Sequence, residues 1–178
     1  MILNAFQLRS ARSALNIGVR EIGSIIEVSR TTISVWENQR NFESIKTSQH
    51  HNNILVTFFK ERGISFPSEK SIVLDTNASN KSGLLSRFQI RVARVAMNLT
   101  QDELSKLIEI PLLLLNYLEK QQNSVYIGST PKTINEHLLR SFFEKNGIQF
   151  PKDFWVSLEK DPRELINKSL RQNSPRLN

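Results

Sequence analysis

The chain repeats one pattern of residues, and this repetition constrains its fold more than any other feature of the sequence. Residues 6–38 ("FQLRSARSALNIGVREIGSIIEVSRTTISVWEN") align without a gap on residues 88–120 ("FQIRVARVAMNLTQDELSKLIEIPLLLLNYLEK"), and 11 of the 33 positions are identical. Further on, "FFKERGISFP" (58–67) matches "FFEKNGIQFP" (142–151). Because an internal repeat sets the architecture of a chain, we predict two homologous domains, which we call copy one and copy two.

The domain boundaries follow from the limits of the repeat and from local composition. The polar stretch "DTNASNKSG" (75–83) has the composition of a linker. Copy one therefore occupies residues 1–74 and copy two residues 84–158. Residues 159–178 form a basic tail, in which Asp161 marks the start of one more short helix.

Each copy has the signals of several helices. In copy two, Thr100 is followed three residues later by Glu103, which is a capping box at a helix N-terminus. Apolar residues with helical spacing come next. In copy one, Gly18 and Ser29 take the corresponding N-cap positions of two successive helices.

A longer helix is predicted near the end of each copy. In copy two it begins at Thr130 with Pro131 in its first turn, and Leu138 is among the residues expected to face the core. Gly63 and Gly147 are placed to end the two helices. We expect a small β-hairpin after each of these glycines.

The charge balance favours a polyanionic partner. The chain has 24 Lys and Arg against 17 Asp and Glu, for a formal net charge of +7. It has no cysteine, which excludes disulfides and cysteine-ligated zinc. No apolar run approaches the roughly 18 residues of a membrane span, and the first residues lack the apolar centre of a signal peptide. We therefore expect a cytoplasmic protein that does not contact a membrane.

Two segments carry a resemblance to a known family. They are "ARSALNIGVREIGSIIEVSRTTISVWENQRN" (11–41) and "ARVAMNLTQDELSKLIEI" (93–110). Both resemble the helix-turn-helix domains of the phage-repressor type, the Cro-like or XRE family. The resemblance implies a mainly all-α fold of two tandem five-helix, lambda-repressor-like domains. It also implies a transcriptional regulator, often dimeric on inverted repeats, whose third helix lies in the DNA major groove.

The third helix of copy one, within "SRTTISVWENQR" (29–40), has the residue types that a DNA-reading helix needs. Ile33 and Trp36 are expected to pack inward. The opposite face carries side chains that hydrogen-bond to base edges. The expected base contacts are Arg30, Thr31 and Ser34.

Phosphate contacts are expected on both sides of this helix. The candidates are Arg20, in the first turn of helix two, and Asn38 and Arg40, at and beyond the end of helix three. Backbone N–H groups near Val19 are further candidates. The alternative is that this surface is only a solvated helix face.

Two pairs of opposite charges recur in both copies. Arg12 and Glu37 of copy one are repeated as Arg94 and Glu119 of copy two, although the rest of helix three has changed. In several phage repressors the matching positions form an internal ion pair. We therefore predict salt bridges between Arg12 and Glu37 and between Arg94 and Glu119, which fix how the helices meet.

The outer face of helix three is apolar in copy two. The DNA-reading positions are occupied there by Leu112, Leu113, Asn116 and Tyr117. An exposed apolar face of this kind marks an interface. Three alternatives would cover this apolar face: the same face of a second chain, another part of this chain (copy one or the C-terminal tail), and a different protein. A two-fold homodimer would be the simplest of them.

These observations favour a sequence-specific regulator that binds double-stranded DNA through copy one and another protein chain through copy two. The alternative is an adaptor or anti-activator on a repurposed helix-turn-helix scaffold. RNA binding has no aromatic platform behind it. The three histidines, His50, His51 and His137, do not form a ligand set. We expect no enzyme activity, no cofactor and no metal.

Overall fold

The computed structural model describes residues 1–77, 83–127 and 136–165 of the chain. Within these ranges each copy contributes four helices and two short strands, and residues 162–165 are also helical. No helix in the described ranges is both long and apolar enough to cross a membrane. The elements in chain order are α1 (Ala5–Ala14), α2 (Val19–Ile25), α3 (Arg30–Asn38), α4 (Gln49–Lys60), β1 (Ile64–Ser65), β2 (Ser71–Leu74), α5 (Arg87–Ala96), α6 (Gln101–Leu107), α7 (Leu112–Lys120), α8 (Glu136–Lys145), β3 (Ile148–Gln149) and β4 (Trp155–Leu158).

Side-chain caps begin several of these helices. Thr100 and Glu103 form the predicted capping box at the start of α6. Ser29 accepts a hydrogen bond from the Thr32 amide, 3.0 Å away, at the start of α3. Gly18 precedes α2 and has no side chain to cap it. Two further capping boxes, which the sequence analysis missed, are Asn4 with Gln7 at α1 and Ser86 with Gln89 at α5.

The loops between the first three helices of each copy have the same backbone conformation. Asn16 and Asn98, at equivalent positions, have φ of 59° and 58°. Glu27 and Glu109, also equivalent, have φ of 55° and 54°. Left-handed backbone is uncommon outside glycine, so its repetition at the same two positions indicates that both copies follow one chain path.

The two hairpins join into a single antiparallel sheet with the strand order β1-β2-β4-β3. Its central strands, β2 and β4, come from different copies. Ile72 pairs with Val156, and these two residues are equivalent positions of the repeat. Ser71 pairs with Ser157 on one side of them. This palindromic register places a local two-fold axis between Ile72 and Val156.

Helices α1 and α5 pack against each other around the same axis. Arg9 Nε donates to the Val95 carbonyl at 3.0 Å, and Arg91 Nε, its equivalent, donates to Ser13 Oγ at 3.2 Å. The helices therefore run in opposite directions and exchange equivalent contacts. At the centre of the crossing lie two fully buried small residues, Ala11 and Ala93.

The predicted mainly all-α fold of two tandem five-helix domains is wrong. Residues 1–77 form four helices, and the hairpins are not appendages of separate bundles. A two-stranded hairpin is marginal alone in water, whereas the shared sheet buries one face of all four strands. The fold is thus mixed α and β, with an internal two-fold repeat. The fully buried apolar residues of the sheet are Ile64, Ile72, Ile148 and Val156.

Several predictions fall wholly or partly outside the described residues. These are the centre of the linker (78–82), the cap at Thr130 and Pro131, and the tail beyond residue 165. One prediction about the core is wrong: Leu138 is 50% exposed, because α8 turns Leu139 and Phe143 inward instead.

Helices α3 and α7 contact α1 and α5 on a different side from the hairpins. Gln7 of α1 donates to the Ser68 carbonyl in the hairpin, whereas Arg12 of α1 contacts α3. These two positions are about 140° apart around a helix, so the sheet and α3 flank α1 on different sides. Gln89 and Arg94 repeat the arrangement in α5.

Candidate nucleic-acid interface

The outer face of α3 carries the residues predicted to read bases. Arg30 and Thr31 are exposed and Ser34 is half-buried, whereas Ile33 and Trp36 are buried in the core. The helix thus separates an apolar inner face from a polar outer one. A guanidinium and two hydroxyls on that outer face are donors and acceptors of the kind that bind base edges in a major groove.

Three further predicted contacts surround α3. Arg20, in the first turn of α2, and Arg40, just beyond α3, are exposed. Asn38, the last residue of α3, is exposed as well. The structure therefore leaves all three side chains accessible to a phosphate.

Both predicted ion pairs are present, and they turn inward. Arg12 contacts both carboxylate oxygens of Glu37, with Nε–Oε1 at 2.5 Å and Nη2–Oε2 at 2.7 Å, and it also donates to the Ile17 carbonyl. The Glu37 side chain is only 8% exposed. The pair ties α1 to the end of α3 and thereby fixes the direction in which the outer face of α3 points.

The equivalent pair in copy two is more deeply buried. Arg94 contacts Glu119 at 2.5 Å and 2.6 Å, and the Glu119 side chain is 1% exposed. Gln101 Nε2 adds a third hydrogen bond to this carboxylate at 3.0 Å, and Arg91 Nε lies 3.8 Å from it. The Arg94–Glu119 pair thus orients the third helix of copy two as the Arg12–Glu37 pair orients that of copy one, although the outer faces of the two helices differ.

The sequence analysis missed a polar seam between the copies. Asn41 Nδ2 donates to the Ala96 carbonyl at 2.8 Å, and its equivalent, Asn123 Nδ2, donates to the Ala14 carbonyl at 3.1 Å. Arg9 also hydrogen-bonds to the Glu37 carbonyl and to Asn41 Oδ1. The signal that was available is the recurrence of asparagine at positions 41 and 123, just past the aligned segment.

Arg9 is 6% exposed in this seam. The pKa of its guanidinium is lowered to about 10, chiefly by burial and next by the neighbouring Arg163, although Glu37 and Asp161 act to raise it. Arg12 also lowers it. The guanidiniums of Arg9, Arg12 and Arg163 therefore lie close together near the C-terminal end of α3. Arg9 itself is held there by its hydrogen bond to the Glu37 carbonyl.

Helix α7 presents an apolar surface where α3 presents a polar one. Leu113 is 83% exposed, Tyr117 47% and Leu112 36%. Asn116 is half-buried, and its Oδ1 atom has no hydrogen-bond partner. Copy one does not cover Leu113. No other described residue of this chain covers the Leu113 side chain either, which leaves a second chain or a different protein among the alternatives for the described residues. We call these four residues the α7 face.

Copy two has also lost the flanking basic side chains. Asp102 stands at the position equivalent to Arg20, and its carboxylate is paired with Lys106 at 2.6 Å. Gln122 stands at the position equivalent to Arg40. One new cation, Lys120, replaces Asn38. The environment around α7 is thus much less suited to a phosphate backbone than that around α3.

The histidines do not form a metal site in the described part of the chain. No group of three or more His, Asp or Glu side chains there is arranged to hold an ion. His50 and His51 have ring centroids 5.9 Å apart with tilted planes. His137 is exposed on α8.

No known protein family, curated protein or solved structure matches the chain. The functional argument therefore depends on the geometry of the two third helices and on their surroundings.

Proposed function

We propose that this protein is a sequence-specific regulator of transcription that binds double-stranded DNA through α3 of copy one. The observation that carries the proposal is the contrast between two equivalent helices in one chain. Buried ion pairs orient α3 and α7 alike, but only α3 is polar outside and flanked by exposed arginines. In this proposal α3 enters the major groove, and Arg20, Asn38 and Arg40 hold phosphates.

The internal two-fold repeat affects the expected DNA site. In a two-fold helix-turn-helix dimer the two recognition helices read two halves of a palindrome. Here one chain supplies both positions, but α7 offers leucines and a tyrosine where the second reader would lie. We therefore expect one chain to recognise a single, non-palindromic half-site.

Copy two would then serve a contact between protein chains. An apolar face such as the α7 face marks an interface when it is larger than scattered single residues. The proposed partner is a second copy of this chain, which would bring two half-sites together as an inverted repeat. A different regulatory protein is the other occupant that fits an apolar helix face.

The test begins with selection of bound duplexes from a random DNA pool. A duplex that carries a single half-site of the winning motif, on which dimerisation through the α7 face does not contribute, is then titrated by fluorescence anisotropy with the wild type, Arg30→Ala and Leu112→Ala. The last two substitutions occupy equivalent positions of the two copies, so Leu112→Ala is the matched control. Loss of one bidentate base contact costs about 1–3 kcal/mol, which lowers affinity by about 5- to 140-fold.

We expect that loss for Arg30→Ala and no change for Leu112→Ala. Equal losses for both variants would mean that copy two also touches DNA. Failure to enrich any motif, with binding that is independent of Arg30, would rule out the proposal.

An adaptor or anti-activator is the second candidate, and the α7 face is the observation that favours it. Such a protein would bind DNA weakly and without sequence preference. It would instead form a tight complex with another protein, which Leu113→Lys would abolish. The DNA selection separates the two candidates, because only the regulator enriches a motif.

A further inference from the structure

The chain returns to the end of α3 after β4. Asp161 Oδ2 accepts a hydrogen bond from the Asn41 backbone amide at 3.1 Å, and Asp161 Oδ1 accepts one from Asn41 Nδ2 at 2.7 Å. Arg163 Nη1 donates to the Gln39 carbonyl at 2.6 Å and, over 3.4 Å, to the Asn38 carbonyl. Two side chains from the segment after copy two therefore hold the loop that follows the third helix of copy one.

These contacts lie on either side of Arg40. The Gln39 carbonyl belongs to the peptide group that precedes Arg40, and the Asn41 amide belongs to the peptide group that follows it. Helix α3 has already ended at Asn38, so helical hydrogen bonds no longer determine the path of the chain here. Because each peptide group is planar, the two contacts together fix the backbone from which the exposed Arg40 side chain extends.

The Asn41 side chain ties the same loop to the seam between the copies. Asn41 is fully buried, its Nδ2 atom also donates to the Ala96 carbonyl at 2.8 Å, and its Oδ1 atom accepts a hydrogen bond from Arg9. Asp161 supplies the acceptor for the backbone amide of this buried residue. A buried amide that loses its acceptor is costly, so the loop has to shift when the Asp161 carboxylate is removed.

The end of α7 is held differently. Arg87, from the α5 helix of the same copy, donates to the Glu119 carbonyl at 2.9 Å and contacts Asn123. The position equivalent to Arg40 is occupied there by Gln122, which has no charge to attract a phosphate. The loop that the last described segment of the chain fastens is therefore the loop that carries the arginine.

We propose that Asp161 and Arg163 are positioning residues for DNA binding, which hold Arg40 where it contacts a phosphate beside the site read by α3. This inference rests on the proposed function, because that function assigns Arg40 to a phosphate. It goes further by giving the segment after copy two a role in DNA binding by copy one. Asp161 and Arg163 act through Arg40 and not by touching DNA themselves.

The negative charge of Asp161 makes the direction of the effect informative. A carboxylate near a DNA backbone repels the phosphates, so its removal strengthens binding if charge alone matters. If Asp161 positions Arg40, its removal weakens binding instead. Asp161→Asn keeps the size of the side chain but leaves it one acceptor oxygen, so one of its two hydrogen bonds from Asn41 is lost.

The test measures how DNA affinity depends on salt, by fluorescence anisotropy on a duplex with a single half-site. Each phosphate contact contributes about −0.9 to the slope of log affinity against log salt concentration, which is a roughly 8-fold change in affinity for each tenfold change in salt. Arg40→Ala should make the slope shallower by about this amount. Asp161→Asn should weaken binding and shift the slope in the same direction, with the preferred motif unchanged, because phosphate contacts carry no sequence information.

Glu164→Gln is the matched control. Glu164 is exposed in the same segment, and its replacement removes one negative charge just as Asp161→Asn does. It should not weaken binding, because charge removal alone favours DNA. Circular dichroism establishes that each variant is folded, and a stoichiometric titration at low salt gives the active fraction by which its affinity is corrected.

A double-mutant cycle with Arg40→Ala separates positioning from direct contact. In that background neither Asp161→Asn nor Arg163→Ala should weaken binding further, because both residues act through Arg40. A further loss with Arg163→Ala would make Arg163 a phosphate contact in its own right and overturn its positioning role. A further loss with Asp161→Asn would assign its effect to the fold at large and overturn the inference as well.

The inference and the proposed function can fail separately. An Arg30-dependent motif, together with unaltered or tighter binding by Asp161→Asn, would overturn the inference and leave the proposed function standing. A wild type that enriches no motif would overturn both. Weaker binding by Asp161→Asn, with no loss for Glu164→Gln and no additional loss beside Arg40→Ala, supports the inference.

Discussion

Replacement of Glu119 by glutamine tests how much the buried Arg94–Glu119 ion pair contributes to stability. The substitution keeps the shape of the side chain and removes its charge. Glu119 accepts two hydrogen bonds from Arg94 and one from Gln101, and its side chain is 1% exposed. Breaking a buried pair by removal of one charge costs about 3–5 kcal/mol, because the other charge is left uncompensated.

The equivalent variant in copy one gives an internal comparison. Glu37 accepts two side-chain hydrogen bonds from Arg12, and it is 8% exposed in a pair whose arginine is 20% exposed. One fewer hydrogen bond to a charged group is worth about 1.5 kcal/mol. We therefore expect Glu37→Gln to lower the free energy of unfolding by about 1.5 kcal/mol less than Glu119→Gln does.

The assay is urea unfolding followed by far-UV circular dichroism. With a denaturant dependence of about 2 kcal/mol per molar urea, the Glu119→Gln midpoint should fall by about 1.5–2.5 M. Asp102→Asn, which breaks the exposed pair with Lys106, should leave the midpoint unchanged. The reasoning is refuted if Glu119→Gln costs less than about 1 kcal/mol, or if Glu37→Gln costs more than Glu119→Gln.

Three further substitutions test the interface, a turn and a cap. Leu113→Lys should change the free energy of unfolding by no more than about 0.5 kcal/mol, because the side chain is 83% exposed. The same substitution should turn the proposed dimer into a monomer in sedimentation velocity. An unaltered dimer would exclude the α7 face as the dimer interface. Gly63→Ala should cost about 1–2 kcal/mol in thermal unfolding, because Gly63 has φ of 77° and a Cβ would lie 3.0 Å from the Asp75 carbonyl; no loss would contradict that backbone. Hydrogen bonds from Thr100 lower the pKa of Glu103 in the folded protein. The stability that these bonds contribute should therefore be present above the pKa that Glu103 has in the unfolded chain, and it should be lost as the pH falls through the lower, folded pKa. Glu103→Gln should flatten this part of the pH profile, and an unchanged profile would assign the dependence to other groups.

The first three helices of each copy could be predicted because their signals are local or repeated. Caps at Ser29 and Thr100 act within three residues of themselves. The ion pairs of Glu37 and Glu119 were predicted because both partners recur at the same spacing in each copy. A charge pair retained while its neighbours change indicates a constraint from inside the fold.

The seam between the copies could not be predicted from residue types in the same way. Arg9 and Arg91 are equivalent in sequence, but Arg9 binds the end of α3, whereas Arg91 contacts Ser13 and Asn16 across the seam. In copy two the role of Arg9 passes to Arg87, one helical turn earlier. A long guanidinium takes whichever acceptors the packed helices present, and those are set only after α1 and α5 have met.

The sequence by itself determined that the chain contains one helical unit twice and that the outer faces of the two third helices differ. These properties follow from the periodicity of apolar residues, from the capping residues and from side-chain chemistry. Only the tertiary structure decided that the hairpins meet through Ile72 and Val156 and that residues 161–165 return to α3. Strand pairing and helix docking depend on which unpaired backbone and apolar surfaces come within reach, and such contacts between distant segments leave no local pattern in the sequence.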